Sequence, residues 1–133
     1  MKLYRVIVPV ADIEKAAAFY GQILDMPGER VSPGRHYFDC GGTVLACYDP
    51  VADGDGGEAR PLPDHIYLST DDIEGAFEAC REAGAIFPET EVQGAGHLGR
   101  IETRPWGERC FYAEDPFGNP LCFVDSGTVF TGS

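Results

Sequence analysis

Basic residues are scarce in this chain: 10 lysines and arginines stand against 22 aspartates and glutamates in 133 residues, a net charge of −12. A surface of that sign repels nucleic-acid phosphates and anionic lipid, so neither is an expected partner, and a cationic ligand is favoured. The same surplus of carboxylates also serves simply to keep a small protein soluble. Long apolar runs are missing too. The opening Met1-Lys2-Leu3-Tyr4-Arg5-Val6-Ile7-Val8-Pro9 is too short and too interrupted for a secretory signal, and no other stretch is long enough to span a bilayer. Five cysteines (Cys40, Cys47, Cys80, Cys110 and Cys122) contain no CxxC pair, and their number is odd, so reduced thiols in a cytoplasm are the expectation. Gly94, Gly96 and Gly99 around His97 make no phosphate loop, because no strand-to-helix switch follows them.

What the chain does have is a repeat. Ala11-Asp12-Ile13-Glu14-Lys15-Ala16 returns as Asp71-Asp72-Ile73-Glu74-Gly75-Ala76, with Asp12 and Asp72 set 60 residues apart. Each copy follows an alternating apolar strand and opens an Ala-rich helix, with the aspartate where an N-cap belongs. A duplicated strand–helix unit predicts a pseudo-symmetric fold with a cleft shared by the halves.

The first half reads β-α-β-β-β. Tyr4–Val10 alternates as a strand, and a helix ends at Met26-Pro27-Gly28. Strands follow near Arg30-Val31, over Arg35–Asp39 and over Thr43–Asp49. The second half repeats the order with strand His65–Thr70 and helix Ile73–Ala83, closed by Gly84. Further strands are expected near Phe87, Gly99–Thr103, Arg109–Ala113 and Leu121–Asp125. One domain over 1–126 therefore holds module one at 1–49, a mobile connector at 50–63 and module two at 64–126; residues 127–133 form a loosely held tail. Strand alternation places Tyr4, Val6, Val8, Ile66, Leu68, Leu121 and Phe123 under the helices. Arg5, Ile7, Ala46, Tyr48, His65, Tyr67 and Cys122 fall on the opposite, concave side.

Two motifs add a resemblance. Val10-Ala11-Asp12-Ile13-Glu14 runs into Ala18-Phe19-Tyr20, and Arg104-Pro105-Trp106-Gly107-Glu108-Arg109 runs on to Asp115-Pro116-Phe117-Gly118-Asn119. From Leu3 to about Asp125 the chain resembles the vicinal oxygen chelate superfamily of glyoxalase I, bleomycin-resistance and extradiol dioxygenase proteins. The resemblance implies an α+β fold of two tandem βαβββ modules, a curved mixed sheet around a cleft with helices on the outer face, and a homodimer. Metal-dependent members draw ligands from the first and last strands of each module, which here map to Arg5, Ala46, His65 and Cys122. Arginine has no lone pair to offer and alanine has no donor, so no metal and no cofactor are expected.

The expected ligand contacts are Arg5, Phe38, Tyr48, Tyr67, Trp106, Tyr112 and Cys122, an aromatic set suited to a cationic or planar aromatic small molecule. His65 is the candidate catalytic base. Each of these has a plain alternative. Arg5 either grips an anion or pairs with one of the many acids, and His65 is either a base or a neutral hydrogen-bonding group. Cys122 is either nucleophilic or an inert small apolar residue. Trp106 either stacks on a ligand or anchors its loop. Glu114 and Asp115 cap a turn, and His36 and His97 are surface residues. A drug-sequestering binder of the bleomycin-resistance type, active in antibiotic resistance, follows as the expected function. A glyoxalase-like lyase or isomerase, or a dioxygenase-related enzyme, is the alternative.

Overall fold

Both helices start on an aspartate whose carboxylate satisfies a free backbone donor. In this computed structural model, which describes residues 1–132, strand β1 (Arg5–Pro9) leads to helix α1 (Ile13–Leu24). Asp12 caps α1 by accepting from the Lys15 N–H at 3.1 Å. Ile13, Ala16, Phe19, Tyr20 and Ile23 recur at helical spacing and are buried, and Asp25 closes the helix in the left-handed conformation. Strands β2 (Glu29–Ser32), β3 (Arg35–Cys40) and β4 (Thr43–Tyr48) complete a sheet of order β1-β4-β3-β2. The β1–β4 pair is parallel, with Ile7 opposite Ala46, and the other pairs are antiparallel. A parallel partner requires a crossover, and α1 begins that path.

The second module repeats the plan. Strand β5 (Ile66–Thr70) precedes helix α2 (Ile73–Ala83), capped by Asp72 through the Gly75 N–H at 3.0 Å and closed by Gly84. Short strands β6 (Glu91–Val92), β7 (Gly96–His97) and β8 (Glu102–Thr103) lead to β9 (Arg109–Glu114) and β10 (Pro120–Asp125). The sheet order is β5-β10-β9-β8, with β5 and β10 parallel. The fold is α+β, two βαβββ modules with mixed sheets. None of the described helices is long and apolar enough to cross a membrane.

The chain forms two compact units, Met1–Pro63 with Pro116–Asn119, and Asp64–Asp115 with the segment from Pro120 onward. In the first, Phe38 is fully buried against Tyr20 of α1, and its strand register places Leu45 and Val6 on the same side. Asn119 ties its turn into this unit: its amide oxygen accepts from the Leu62 N–H at 2.8 Å and its Nδ2 donates to the Pro9 carbonyl at 2.7 Å. In the second, Phe111 stacks on Phe123 at 5.0 Å and meets Phe77 of α2 edge-on, forming the helix-side core. Helix α2 buries only Ile73 and Cys80 fully, a thinner stripe than that of α1.

Several local expectations are corrected. Near Phe87 there is one isolated bridge, Ile86 with Glu114, because Pro88 lacks the N–H that a longer ladder needs. The strand expected over Gly99–Thr103 shrinks to Glu102–Thr103, and a two-residue hairpin, β6–β7, forms just before it. His36 is not a surface residue. It is buried, with Nε2 donating to the Pro27 carbonyl at 2.9 Å and Nδ1 accepting from Arg30 Nε at 3.2 Å. His97 is half-buried, its Nδ1 accepting from the Gly99 N–H. The connector is anchored at its start, where Asp53 accepts from Ser32 Oγ at 2.6 Å, the Gly34 N–H at 3.0 Å and Arg35 Nε at 3.3 Å. The tail is also held. Thr128 Oγ1 accepts from the Arg109 N–H at 2.9 Å, and the Phe130 N–H donates to Glu108 Oε2 at 2.9 Å.

Candidate functional site

On the first unit's sheet, the face turned away from α1 carries a chain of arginines and tyrosines. The Tyr37 hydroxyl accepts from Arg5 at 3.4 Å and from Arg35 at 3.3 Å, and the Arg35 guanidinium lies 4.2 Å from the centre of the Tyr48 ring. Tyr48 in turn donates a short hydrogen bond to Asp55, which raises its phenol pKa above the ordinary value. Arg5 and Tyr48, both expected as ligand contacts, therefore share this face with Tyr37 and Arg35, which were not expected. Phe38 lies on the other side. Being one residue out of phase with Tyr37, it points into the α1 core and has no exposed surface, so it cannot line a ligand face.

On the second unit, β5, β10 and β9 align Tyr67, Cys122 and Tyr112 across the sheet, on the side opposite Phe111 and Phe123. His65, exposed just before β5, sets its ring edge-on to Tyr112 at 5.0 Å and 6.3 Å from that of Tyr67. Four expected residues thus meet here: His65, Tyr67, Tyr112 and Cys122. Cys122 is fully buried in a cluster with Cys110, Tyr112 and Val124, closed over by Leu98. Cys110 and Cys122 titrate as a pair: their mutual hydrogen bonding, with help from Arg104, lowers the Cys110 thiol and raises that of Cys122. Desolvation likewise drives the Tyr112 phenol well above its usual range.

Arg104 builds this layer. Its side chain is fully buried, and its guanidinium donates to the carbonyls of Ala95, His97, Leu98, Arg100 and Cys110 at 2.8 to 3.4 Å. Its Nε lies 3.4 Å from the Cys110 sulfur. One planar fork with five donors gathers a loop that has few side chains of its own to pack.

An open pocket of about 460 Å³ lies beside this layer, within the roughly 300–1,000 Å³ of small-molecule sites. Strand β5 contributes Tyr67, Leu68 and Ser69, and β10 contributes Val124. Trp106 and Glu108 come from the turn before β9, and Val129 and Phe130 from the tail. Tyr67, Trp106 and Phe130 are all substantially exposed, whereas Glu108 is only 7% exposed. Its Oε1 accepts from Trp106 Nε1 at 2.8 Å while Oε2 accepts from Phe130. Desolvation, then the charges of Cys122 and Glu108, hold the Tyr67 phenol above its ordinary value. Sequence reasoning missed Glu108 and Phe130. Glu108 lies two residues from Trp106 in the closing motif, within reach of its indole N–H, and that nearness was the available signal.

The four residues that the resemblance maps to metal positions carry little donor chemistry. Ala46 is buried and donor-free, Arg5 is cationic and engaged with tyrosines, and His65 and Cys122 offer two ligands at most. Among the described residues, no three histidines, cysteines or acids come together as a metal-holding group.

No protein of curated function matches the sequence. Solved structures do. A member of the glyoxalase/bleomycin resistance protein/dioxygenase superfamily from Sphaerobacter thermophilus is 25% identical with a TM-score of 0.67, over 95% of this chain and 98% of its own. The oxidase ChaP-H2 is 25% identical with a TM-score of 0.70, over 100% and 97% of the two chains. A glyoxalase-related enzyme from Fulvimarina pelagi shares the fold at 17% identity, with a TM-score of 0.73 over 96% and 89%. The family model described as Glyoxalase/Bleomycin resistance protein/Dioxygenase superfamily matches residues 2–123. With nearly its whole length matched, and two βαβββ modules in the order its repeat implies, the chain belongs to the glyoxalase/bleomycin resistance/dioxygenase superfamily.

Proposed function

We propose that this protein binds and sequesters a small organic molecule of the antibiotic type, in a cytoplasm and as a homodimer, without metal chemistry. The observation that carries the reading is the pocket walled by Tyr67, Trp106 and Phe130, with apolar Leu68, Val124 and Val129 and the two polar groups of Ser69 and Glu108. Apolar walls with a few placed polar atoms supply affinity and orientation, and sequestration asks for nothing further. A donor set unsuited to a metal costs such a binder nothing. Dimerisation draws support from the thin buried stripe of α2 and from Ile86 and Val92, apolar side chains exposed on the same unit.

The test is calorimetric titration with basic glycopeptide and planar quinone-type drugs. Saturable binding of one molecule per chain, with the drug recovered unchanged, is expected; a panel with no saturable binding overturns the reading. A second reading, a glyoxalase-like or oxidase-like enzyme, is favoured by the exposed His65 imidazole held against Tyr112. If drug is recovered altered and His65→Ala abolishes the change, the enzyme replaces the binder.

A further inference from the structure

Among the described residues, Glu108 is the only acidic side chain lining the pocket, and it is nearly buried there. Each of its oxygens takes one neutral N–H, from Trp106 and from Phe130, and among the described residues no cation pairs with it. The two neighbouring arginines are committed elsewhere. Arg104 is spent on backbone carbonyls, the Cys110 sulfur and Glu102, and Arg109 pairs with Glu74 and Asp125. A desolvated carboxylate that lacks a counter-charge is costly, and a cation arriving with the ligand removes that cost.

The groups around the carboxylate favour the same kind of guest. Tyr67, Trp106 and Phe130 are large aromatics lining an open pocket, each 45% exposed or more. Their ring faces carry negative potential, and a soft organic cation is the ligand that aromatic faces and a carboxylate both attract. An anion would meet repulsion from Glu108 and from a chain of net charge −12.

We infer that the Glu108 pocket is a cation subsite: it takes a quaternary ammonium or protonated tertiary amine of an organic ligand, with Glu108 as counter-ion and Tyr67, Trp106 and Phe130 as the aromatic cage. This inference rests on the pocket reading above and names the ligand class for it. Glu108 also positions the cage, since the carboxylate that would meet the cation holds the Trp106 indole and the Phe130 backbone.

Trp106 is the single tryptophan of the chain, so its emission reports on this pocket alone. The experiment titrates intact protein with phenyltrimethylammonium and with its uncharged isostere tert-butylbenzene, and repeats both on Glu108→Gln. The ammonium is expected to change Trp106 emission saturably and to bind at least about tenfold more tightly than the isostere, with added salt weakening it. Glu108→Gln removes the charge and one of the two bonds that hold the cage, so both probes should weaken, the ammonium about tenfold more than the isostere. Equal affinity for the two compounds in the unmodified protein overturns the cation subsite and leaves the apolar pocket standing, whether or not the variant folds. Ammonium binding unaltered in a folded Glu108→Gln does the same. No response to either compound in folded protein removes the pocket reading and the subsite together.

Discussion

Trp106 and Phe130, 24 positions apart in sequence, are joined through one carboxylate: Glu108 accepts the indole N–H on one oxygen and the Phe130 backbone N–H on the other, at 2.8 and 2.9 Å. A turn before β9 and the tail after β10 are thereby held as two walls of one pocket. The bond to Phe130 extends the anchoring that Thr128 begins, where Oγ1 accepts from the Arg109 N–H and donates to the Asp125 carbonyl.

Glu108→Ala should release both donors. Trp106 and Phe130 are each about half exposed, so water can satisfy much of what is lost, and the expected cost is about 1–2 kcal/mol. Urea unfolding gives that figure, and a red shift of the folded protein's Trp106 emission would show the indole moving into water. An unshifted emission would mean that the indole is placed by something other than Glu108.

Arg104→Lys should be more damaging. Five carbonyls share one guanidinium, and an ammonium has three donors in a different geometry. Leaving two or more of these carbonyls unsatisfied, one of them the buried Cys110 carbonyl and the rest part-buried, should cost about 2–3 kcal/mol in urea unfolding. The charge is conserved in this substitution. A variant as stable as the parent would therefore show that charge, and not the fork, holds the 95–100 loop.

Phe38→Leu separates core from site. The side chain is buried against Tyr20 and His36, so an expected loss of about 1–2 kcal/mol should appear in the unfolding midpoint. Ligand affinity should stay within about twofold of the parent, because the residue lies on the helix side of its sheet. A large drop in affinity at unchanged stability would return Phe38 to the ligand set.

Acid should weaken the Asp53 anchor. Its hydrogen bond from Ser32 and then that from the Gly34 N–H lower its pKa below the ordinary value, with Arg35 adding to them. A carboxyl lowered on folding stabilises at pH above its unfolded value, and that contribution fades as pH falls through the folded one. Stability followed by urea midpoint should therefore fall more steeply below about pH 4 in the parent than in Asp53→Asn. Parallel curves would show that Asp53 does not contribute to acid unfolding.

The fold was legible because its signals are local and repeated. Asp12 and Asp72, each followed by an apolar helical stripe after an alternating strand, identify two equivalent modules before any contact is known. The face of β10 was readable for the same reason: alternation alone separates Cys122 from Leu121 and Phe123. His36 and Phe38 were misassigned because burial by a helix 15 to 20 residues away in sequence leaves no mark on the residues themselves. A histidine becomes a core residue only when Pro27 and Arg30 satisfy its ring nitrogens.

Local periodicity, caps and turns by themselves determined two βαβββ modules and the faces of most strand residues, though Tyr4, expected under the helix, is exposed; composition determined the net acidic charge. Those properties depend on neighbours within a few residues or on composition. The tertiary structure alone decided that Arg104 would be swallowed by five carbonyls, that Asp53 would fasten the connector, and that Glu108 would join Trp106 to Phe130. Each of these depends on which distant backbone groups are left without partners once the chain has folded, and a buried N–H or C=O must find one wherever it lies.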